Sequence, residues 1–293
     1  MILVTGTKRS GTSMWMQILQ AAGIEVIGDA FPKDWGDVLV EANPEGFYES
    51  IFRRGVFHAT NPHPETGDYI HPDEARGVAV KVFIPGVVRS DLAFVERVLG
   101  TMRNWREYHG SLQRLYEMEH RNRNRLREQE RPEPKHVSPA LEWWAENYAL
   151  IADHLTRRYP IHLMAYESVL AEPETLVREA LGWLGRGDAD AAVASVDPAL
   201  RTHVAEELPE VPGIEPEVAE VFDELYARVR DRAGLDGPFI DRLNDLDERL
   251  QPRIKEEMRE LRRHRARVRR ERLRNAREHG EQQAAPDEPP EAQ

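Results

Sequence analysis

The sequence contains no cysteine, which excludes disulfide bonds, thiolate metal sites and cysteine nucleophiles. No apolar run reaches the roughly 18 residues that a membrane-spanning helix needs, so no transmembrane segment is expected. The first residues have the pattern of a strand rather than of a charged leader followed by an apolar stretch, so no signal peptide is predicted. Together these absences predict a cytoplasmic protein.

Lysine is also scarce: there are five lysines among 40 basic residues, which leaves 35 arginines. The formal net charge of −12 is unevenly distributed. Residues 241–293 hold 14 basic and 13 acidic residues, so residues 1–240 hold 26 and 39, a net charge of −13. An acidic body argues against a general nucleic-acid-binding surface. A basic side chain in a predicted loop or buried strand therefore becomes a candidate for a specific role.

A glycine-bounded loop lies close to the N-terminus. The apolar run over residues 2–4 predicts a buried strand, and a helical pattern with apolar residues on one face begins at Thr12. Between them, Gly6 and Gly11 bound a loop that carries Lys8 and Arg9. A strand, a glycine loop and a helix in this order direct backbone N–H groups and a helix N-terminus toward a phosphate.

The loop nearly matches the nucleotide-binding pattern G-x-x-x-x-G-K-[ST], with one departure. Gly6 and Gly11 have the required spacing and Ser13 occupies the hydroxyl position, but Thr12 stands where the pattern has lysine. A loop without that lysine is poorly suited to β- and γ-phosphates and better suited to a ligand with a single 5′-phosphate. The alternative interpretation is an ordinary strand, turn and helix with surface cations.

This stretch, with the tryptophan that follows it, resembles the 5′-phosphosulfate loop of sulfotransferases that use 3′-phosphoadenosine-5′-phosphosulfate (PAPS). The resemblance covers about the first 200 residues. It implies that Lys8 acts catalytically, bonding the bridging oxygen and stabilising the leaving phosphate. It also implies a set of nucleotide-binding residues in the loop: Lys8, Arg9, Ser10, Gly11, Thr12 and Ser13.

A second match follows a strand predicted over residues 95–103. Arg103 ends this strand, and Ser111 lies eight residues later on a helix predicted over residues 105–119. Sulfotransferases bind the 3′-phosphate of PAPS with an arginine and a serine in this arrangement, so the resemblance implies the same role for this pair. These side chains suit phosphate binding, because a guanidinium donates two parallel hydrogen bonds to phosphate oxygens and a hydroxyl donates a further one.

A third basic residue lies within an apolar run over residues 77–84, which predicts a buried strand ended by Pro85. An unpaired buried cation is costly, so Lys81 either extends to the strand end or faces a bound anion near the carboxyl ends of the strands. The anion is favoured, which makes Lys81 a candidate catalytic residue.

Many sulfotransferases carry a histidine base two positions after this lysine, where the present sequence has Phe83.

The missing histidine leaves the role of base to a carboxylate, as in heparan-type members of the family. Glu45 and Glu49 both lie at a predicted junction between a loop and a helix over residues 50–58, and Glu49 is ranked first. The alternative for Glu49 is a cap on that helix. The Arg-Lys-Gly segment of many sulfotransferases is also absent, and Arg201 is the candidate substitute on the adenine side.

Further elements follow along the chain. Helices are predicted over residues 139–157 and 215–233, with a last strand over residues 160–166. The first of these helices carries two adjacent tryptophans. Helical spacing assigns Trp144 to the core, which leaves Trp143 as the candidate for contact with a ligand.

The fold predicted from these elements is an α/β domain of the P-loop type over residues 1–237, with a mostly parallel sheet flanked by helices. A long charged helix is predicted over residues 238–279 and a disordered tail over residues 280–293. The helix is expected to supply few core positions and to be dispensable for catalysis; the alternative is that its apolar stripe from Leu243 to Leu261 packs on the domain and stabilises the fold. Ten arginines and two glutamates between residues 259 and 277 suggest contact with an anionic membrane surface, or a coiled coil with another subunit through residues 240–277. A solvated single helix is the alternative.

The predicted function is transfer of a sulfuryl group from PAPS to a hydroxyl or amine of a small-molecule, carbohydrate or lipid acceptor, without a metal. Two alternatives belong to other classes. A P-loop kinase or NTPase would need the lysine that the loop lacks. A non-catalytic adaptor with a nucleotide-binding fold would act through its arginine-rich helix. The sequence does not specify the acceptor.

Overall fold

A computed structural model describes residues 1–30, 46–125, 135–196 and 210–283 of the chain. Five parallel strands form one sheet in the order β2-β3-β1-β4-β5. This confirms the predicted α/β class with a parallel sheet. The strands are β1 (Ile2–Gly6), β2 (Val26–Ile27), β3 (Ala79–Lys81), β4 (Arg97–Met102) and β5 (Ile161–Ala165).

Helices cover both faces of the sheet. Those within the described residues are α1 (Thr12–Ala21), α2 (Ile84–Arg89), α3 (Trp105–Arg125), α4 (Pro139–Arg157), α5 (Tyr166–Ala171), α6 (Pro173–Leu184), α7 (Ala189–Ala194), α8 (Pro216–Arg230) and α9 (Gly237–Gln283). The predicted strand over residues 77–84 is shorter than expected, because Pro85 lies in the first turn of α2, where a missing N–H costs nothing. None of these helices is long and apolar enough to pass through a membrane.

The central strand β1 is buried on both faces. Ile2 and Val4 pack with α1 and α6, whereas Leu3 packs with α2 and α4, because successive side chains of a strand point to opposite faces. β1 lies between β3 and β4, and the chain passes from one to the other across it. The carboxyl end of β1 therefore opens at the point of the sheet where parallel α/β folds bind ligands.

The C-terminal helix α9 belongs partly to the core. The expectation that it supplies few core positions is wrong, because five apolar side chains at spacings of three or four residues form one buried stripe. Each is at most 6% exposed: Phe239, Leu243, Leu246, Leu250 and Ile254. They pack in one cluster with the tryptophans of α4 and with α8. Pro252 lies inside α9, close to the end of this stripe. The helix continues to residue 283, past the predicted end at 279, and residues 284–293 lie outside the described part.

Candidate anion-binding site

The loop after β1 is fixed to its neighbours by short hydrogen bonds. The Ser10 hydroxyl donates to the loop backbone at 2.6 Å, and the Thr101 hydroxyl of β4 donates to the carbonyl of Ser10 at 2.7 Å. Arg9 and Gly11 both have positive φ angles, of 61° and 89°. A Cβ atom at Gly11 would lie 2.4 Å from the ring of Tyr166, so only glycine fits beneath that ring. The loop is thus a rigid turn that leads directly into the N-terminus of α1.

Three residues predicted to bind the nucleotide lie together beside this loop. Arg9 Nε donates to the Ser111 hydroxyl at 3.5 Å, and Arg103 Nη1 donates to the carbonyl of Arg9 at 3.1 Å. We call these residues the Arg9 group. Burial lowers the pKa of Arg9, and the charges of Arg103 and Arg114 lower it further. Two guanidinium groups and a hydroxyl therefore meet at the carboxyl end of the central strands.

Arg103 is held from several sides. Its side chain is buried, Nη2 donates to Glu107 Oε2 at 3.3 Å, and Nε lies 3.9 Å from Glu167 Oε1. The guanidinium carbon lies 5.2 Å from the centre of the Tyr166 ring. Nε makes no hydrogen bond within the described residues. Arg103 is therefore oriented in advance and retains one donor.

The tryptophan pair of α4 is buried in full. Trp144 lies in the core as predicted, but the assignment of Trp143 to ligand contact is wrong, because it too has 0% exposure. Trp143 Nε1 instead donates to the carbonyl of Arg103 at 2.8 Å. α4 is covered on more than one side, by the residues after β4 and by α8 and α9, so adjacent positions can both be core. The role of Trp143 is to hold the backbone at the end of β4.

A second group of predicted site residues surrounds the end of β3. Lys81 Nζ lies 2.8 Å from Glu49 Oε1 and donates to the Phe47 carbonyl at 2.6 Å and to the Ser13 hydroxyl at 3.2 Å. We call Ser13, Glu49 and Lys81 the Lys81 group. An ammonium has three donors, and all three are used here. Burial lowers the pKa of Lys81, and the neighbouring Glu49 partly offsets this effect.

The two carboxylate oxygens of Glu49 differ in their contacts, since only Oε1 takes part in this ion pair. Glu49 Oε2 is buried and makes no hydrogen bond within the described residues, although Arg53 Nη1 lies 3.6 Å away. The alternative role as a helix cap is wrong, because the Ser50 side chain accepts from the N–H of Phe52 and caps the short 3-10 helix Ile51–Arg54. That helix replaces the longer one predicted over residues 50–58. The other two candidates, Glu45 and Arg201, lie outside the described residues.

Lys8 points toward α4, whereas Arg9 points toward α3. Lys8 Nζ donates to Glu142 Oε1 at 2.7 Å, and its side chain is 46% exposed. Burial, with the charge of Glu142 added, raises the pKa of Glu146, one helical turn further on, to about 8. Sequence reasoning missed both glutamates, because carboxylates four residues apart on a helix usually mark a solvated face.

Comparison with known proteins adds no assignment. No protein-family model matches the chain, and no curated protein matches its sequence. Among the described residues, no three histidine, aspartate or glutamate side chains are grouped so that they could hold a metal ion. The site is therefore interpreted from its own chemistry.

Proposed function

We propose that the chain is a P-loop-type sulfotransferase, which moves a sulfuryl group from PAPS to a hydroxyl or amine of an acceptor. The observation that supports this proposal is the Arg9 group. Arg9 is partly buried beside the buried Arg103, and burial together with the charge of Arg103 lowers the pKa of Arg9, so a bound phosphate would stabilise both cations in addition to the Glu107 that pairs with Arg103. Their position beside a glycine turn and a helix N-terminus is the place where an anionic ligand is best stabilised.

The two phosphates of such a nucleotide fit two neighbouring parts of the site. The turn at Gly11 and the first N–H groups of α1, with the Ser13 hydroxyl, suit the 5′-phosphate. The 3′-phosphate fits Arg103 and Ser111, because the buried Nε of Arg103 lacks a hydrogen bond within the described residues. A ligand with only one of these phosphates would leave one part of the site unused.

The nucleotide would supply the sulfuryl group, whose bond to the 5′-phosphate oxygen breaks as its bond to the acceptor forms. The N–H groups at the N-terminus of α1 stabilise the charge that grows on the leaving phosphate. Glu49 Oε2 takes the proton that the acceptor loses, because it is the carboxylate oxygen of the Lys81 group without a hydrogen bond in the described chain. Lys81 holds Glu49 in orientation through the 2.8 Å ion pair.

Lys8 and Arg9 divide the roles that the family resemblance gives to the loop. Arg9 is already directed at Ser111 and lies beside Arg103, whereas Lys8 is paired with Glu142. Lys8 could reach the leaving phosphate only by giving up that partner. We therefore assign the stabilisation of the leaving phosphate to the N–H groups at the N-terminus of α1, and we assign Arg9 to the 3′-phosphate with Arg103 and Ser111.

Calorimetry with three nucleotides tests the proposal. Adenosine 3′,5′-bisphosphate should bind at least tenfold more tightly than adenosine 5′-monophosphate, and more tightly than ATP with Mg²⁺. Arg9→Gln and Arg103→Gln should each weaken the bisphosphate by roughly 10- to 100-fold, the range for a hydrogen bond to a charged group. Lys8→Gln, one position from Arg9, is the matched control and should have a smaller effect.

Two results would contradict the proposal. Tighter binding of ATP with Mg²⁺ than of the bisphosphate would indicate a kinase or NTPase. No binding of any nucleotide would indicate the non-catalytic adaptor.

A further inference from the structure

A cleft of about 220 Å³ opens beside Lys8, and the C-terminal helix forms one of its walls. Four segments meet there: the loop after β1, the middle of α3, the residues that lead into α4, and α9. The lining residues are Lys8, Leu115, Tyr116, His136, Val137, Glu142, Leu261 and Arg265. The cleft lies outside the Arg9 and Lys81 groups, and neither group uses its residues.

The charges in the cleft do not cancel. Lys8 is neutralised by Glu142 at 2.7 Å, and the ring of His136 stacks on Tyr116 with 3.4 Å between ring centres. Arg265 is exposed and makes no ion pair or hydrogen bond with any part of the chain that the structure describes. Among the described residues, Arg265 is therefore the charged lining residue without an ionic partner.

The position of Arg265 on α9 places further positive charge close to it. Its neighbours one turn away include Arg262 and Arg269, and like charges at this spacing destabilise a helix. Most described arginines of the main body behave differently: Arg157 and Arg186, for example, are paired with carboxylates. An anion bound in the cleft would relieve the repulsion at Arg265.

The size and lining of the cleft limit what it can hold. Its volume is below the roughly 300–1,000 Å³ of pockets for drug-sized ligands, so it accommodates one ring rather than a large molecule. Leu115, Val137 and Leu261 provide apolar surface for such a ring, and Arg265 provides a charge at its edge. The other cation in the lining, Lys8, belongs to the loop that would hold the reacting phosphate.

We propose that this cleft binds the end of the acceptor that lies away from its reacting hydroxyl or amine, and that Arg265 selects an acceptor whose terminal ring carries an anionic group such as a carboxylate. This inference rests on the proposed function, because it places the acceptor next to the loop in which the sulfuryl group would be transferred. It makes α9 a part of the substrate site in addition to its contribution to the core.

Two probes of equal shape and different charge test the inference: 4-hydroxybenzoate and 4-hydroxybenzyl alcohol. Each is titrated into the full chain with ¹³C-labelled histidine, saturated with adenosine 3′,5′-bisphosphate. The ring signal of His136, assigned with His136→Gln, reports occupancy of the cleft. The carboxylate should bind about threefold or more tightly than the alcohol, as one exposed ion pair allows. Arg265→Gln should abolish this preference, and Arg269→Gln, one turn further and outside the cleft, should keep it.

Three results would overturn the inference: equal affinity for the two probes, equal losses in Arg265→Gln and Arg269→Gln, or binding of 4-hydroxybenzoate that is much tighter in a parallel titration without the bisphosphate. The last would show that the cleft belongs to the nucleotide. Bisphosphate affinity, measured by calorimetry on the same protein preparations before the nucleotide is added, separates this test from that of the proposed function. Arg265→Gln should leave that affinity unchanged, whereas failure of the proposed function would appear as absent bisphosphate binding in the unmodified chain.

Discussion

The ion pair between Lys81 and Glu49 allows a quantitative prediction about the site. Its charged atoms lie 2.8 Å apart, and both side chains are at most 7% exposed. Removing one partner of a buried pair is far more costly than removing both, because a lone buried charge remains. We therefore expect strong coupling between substitutions of these two residues.

The three neighbours of Lys81 set the expected magnitudes. Lys81→Met leaves a buried carboxylate whose nearest cation is Arg53 at 3.6 Å, so a loss of about 3–5 kcal/mol in the free energy of unfolding is expected. Glu49→Gln should cost less, about 1–3 kcal/mol, because Lys81 keeps the Phe47 carbonyl and the Ser13 hydroxyl as acceptors. The double variant should lose at least about 1.5 kcal/mol less than the sum of the two single losses.

Urea unfolding of the four proteins, followed by circular dichroism, measures this coupling. The exposed pair Arg76 and Asp73, with side chains 76% and 90% exposed, is the control and should show coupling below about 0.5 kcal/mol. If the losses at Lys81 and Glu49 simply add, the pair does not act as a unit. The argument that Lys81 orients Glu49 for proton transfer would then be refuted.

Two further predictions concern α4 and α9. The pKa of Glu146 is raised from 4.5 to about 8, so the folded chain keeps a proton that the unfolded chain loses, and stability contributed by this group falls as pH rises through that window. At pH 9 the free energy of unfolding of Glu146→Gln should therefore exceed that of the unmodified chain, by a few kcal/mol at most. At pH 4 the two free energies should be nearly equal. Equal urea midpoints at pH 9 would contradict this. Truncation after Gly237 should abolish soluble folded protein because it removes the apolar stripe of α9, whereas truncation after Arg270 should preserve the thermal unfolding transition. Soluble, cooperatively folding protein ending at Gly237 would show that the stripe is not needed.

Local sequence patterns predicted the elements and part of the site. The bounds of α4 match the prediction, since Pro139 marks its first turn and an apolar stripe runs along it. The meeting of the loop with Arg103 and Ser111 also followed from pattern, because parallel strands bring their carboxyl ends to one edge. In the structure Gly6 of β1 is in register with Thr101 of β4, which places Arg103 beside the loop.

Contacts between distant helices could not be predicted in the same way. The partner of Lys8 lies 134 residues away, on a helix whose rotation the sequence does not specify. Periodicity shows that Leu243 and Leu250 share a face, but not that this face meets the tryptophans of α4. For the same reason Trp143 was misassigned, since a helix contacted on several sides has no single apolar stripe.

Pro252 has a mechanical consequence for the cleft. It lacks the N–H that would bond to the preceding turn, so α9 is most easily bent at this position, between its buried half and the half that carries Arg265. The 13 residues from Pro252 to Arg265 form an arm of about 20 Å. A change of roughly 10° in the bend would move Arg265 by about 3.5 Å, on the order of one hydrogen-bond length. A bend at Pro252, a position exposed on the surface of α9, would therefore change the width of the cleft about 20 Å away, at the residue that would contact the ligand.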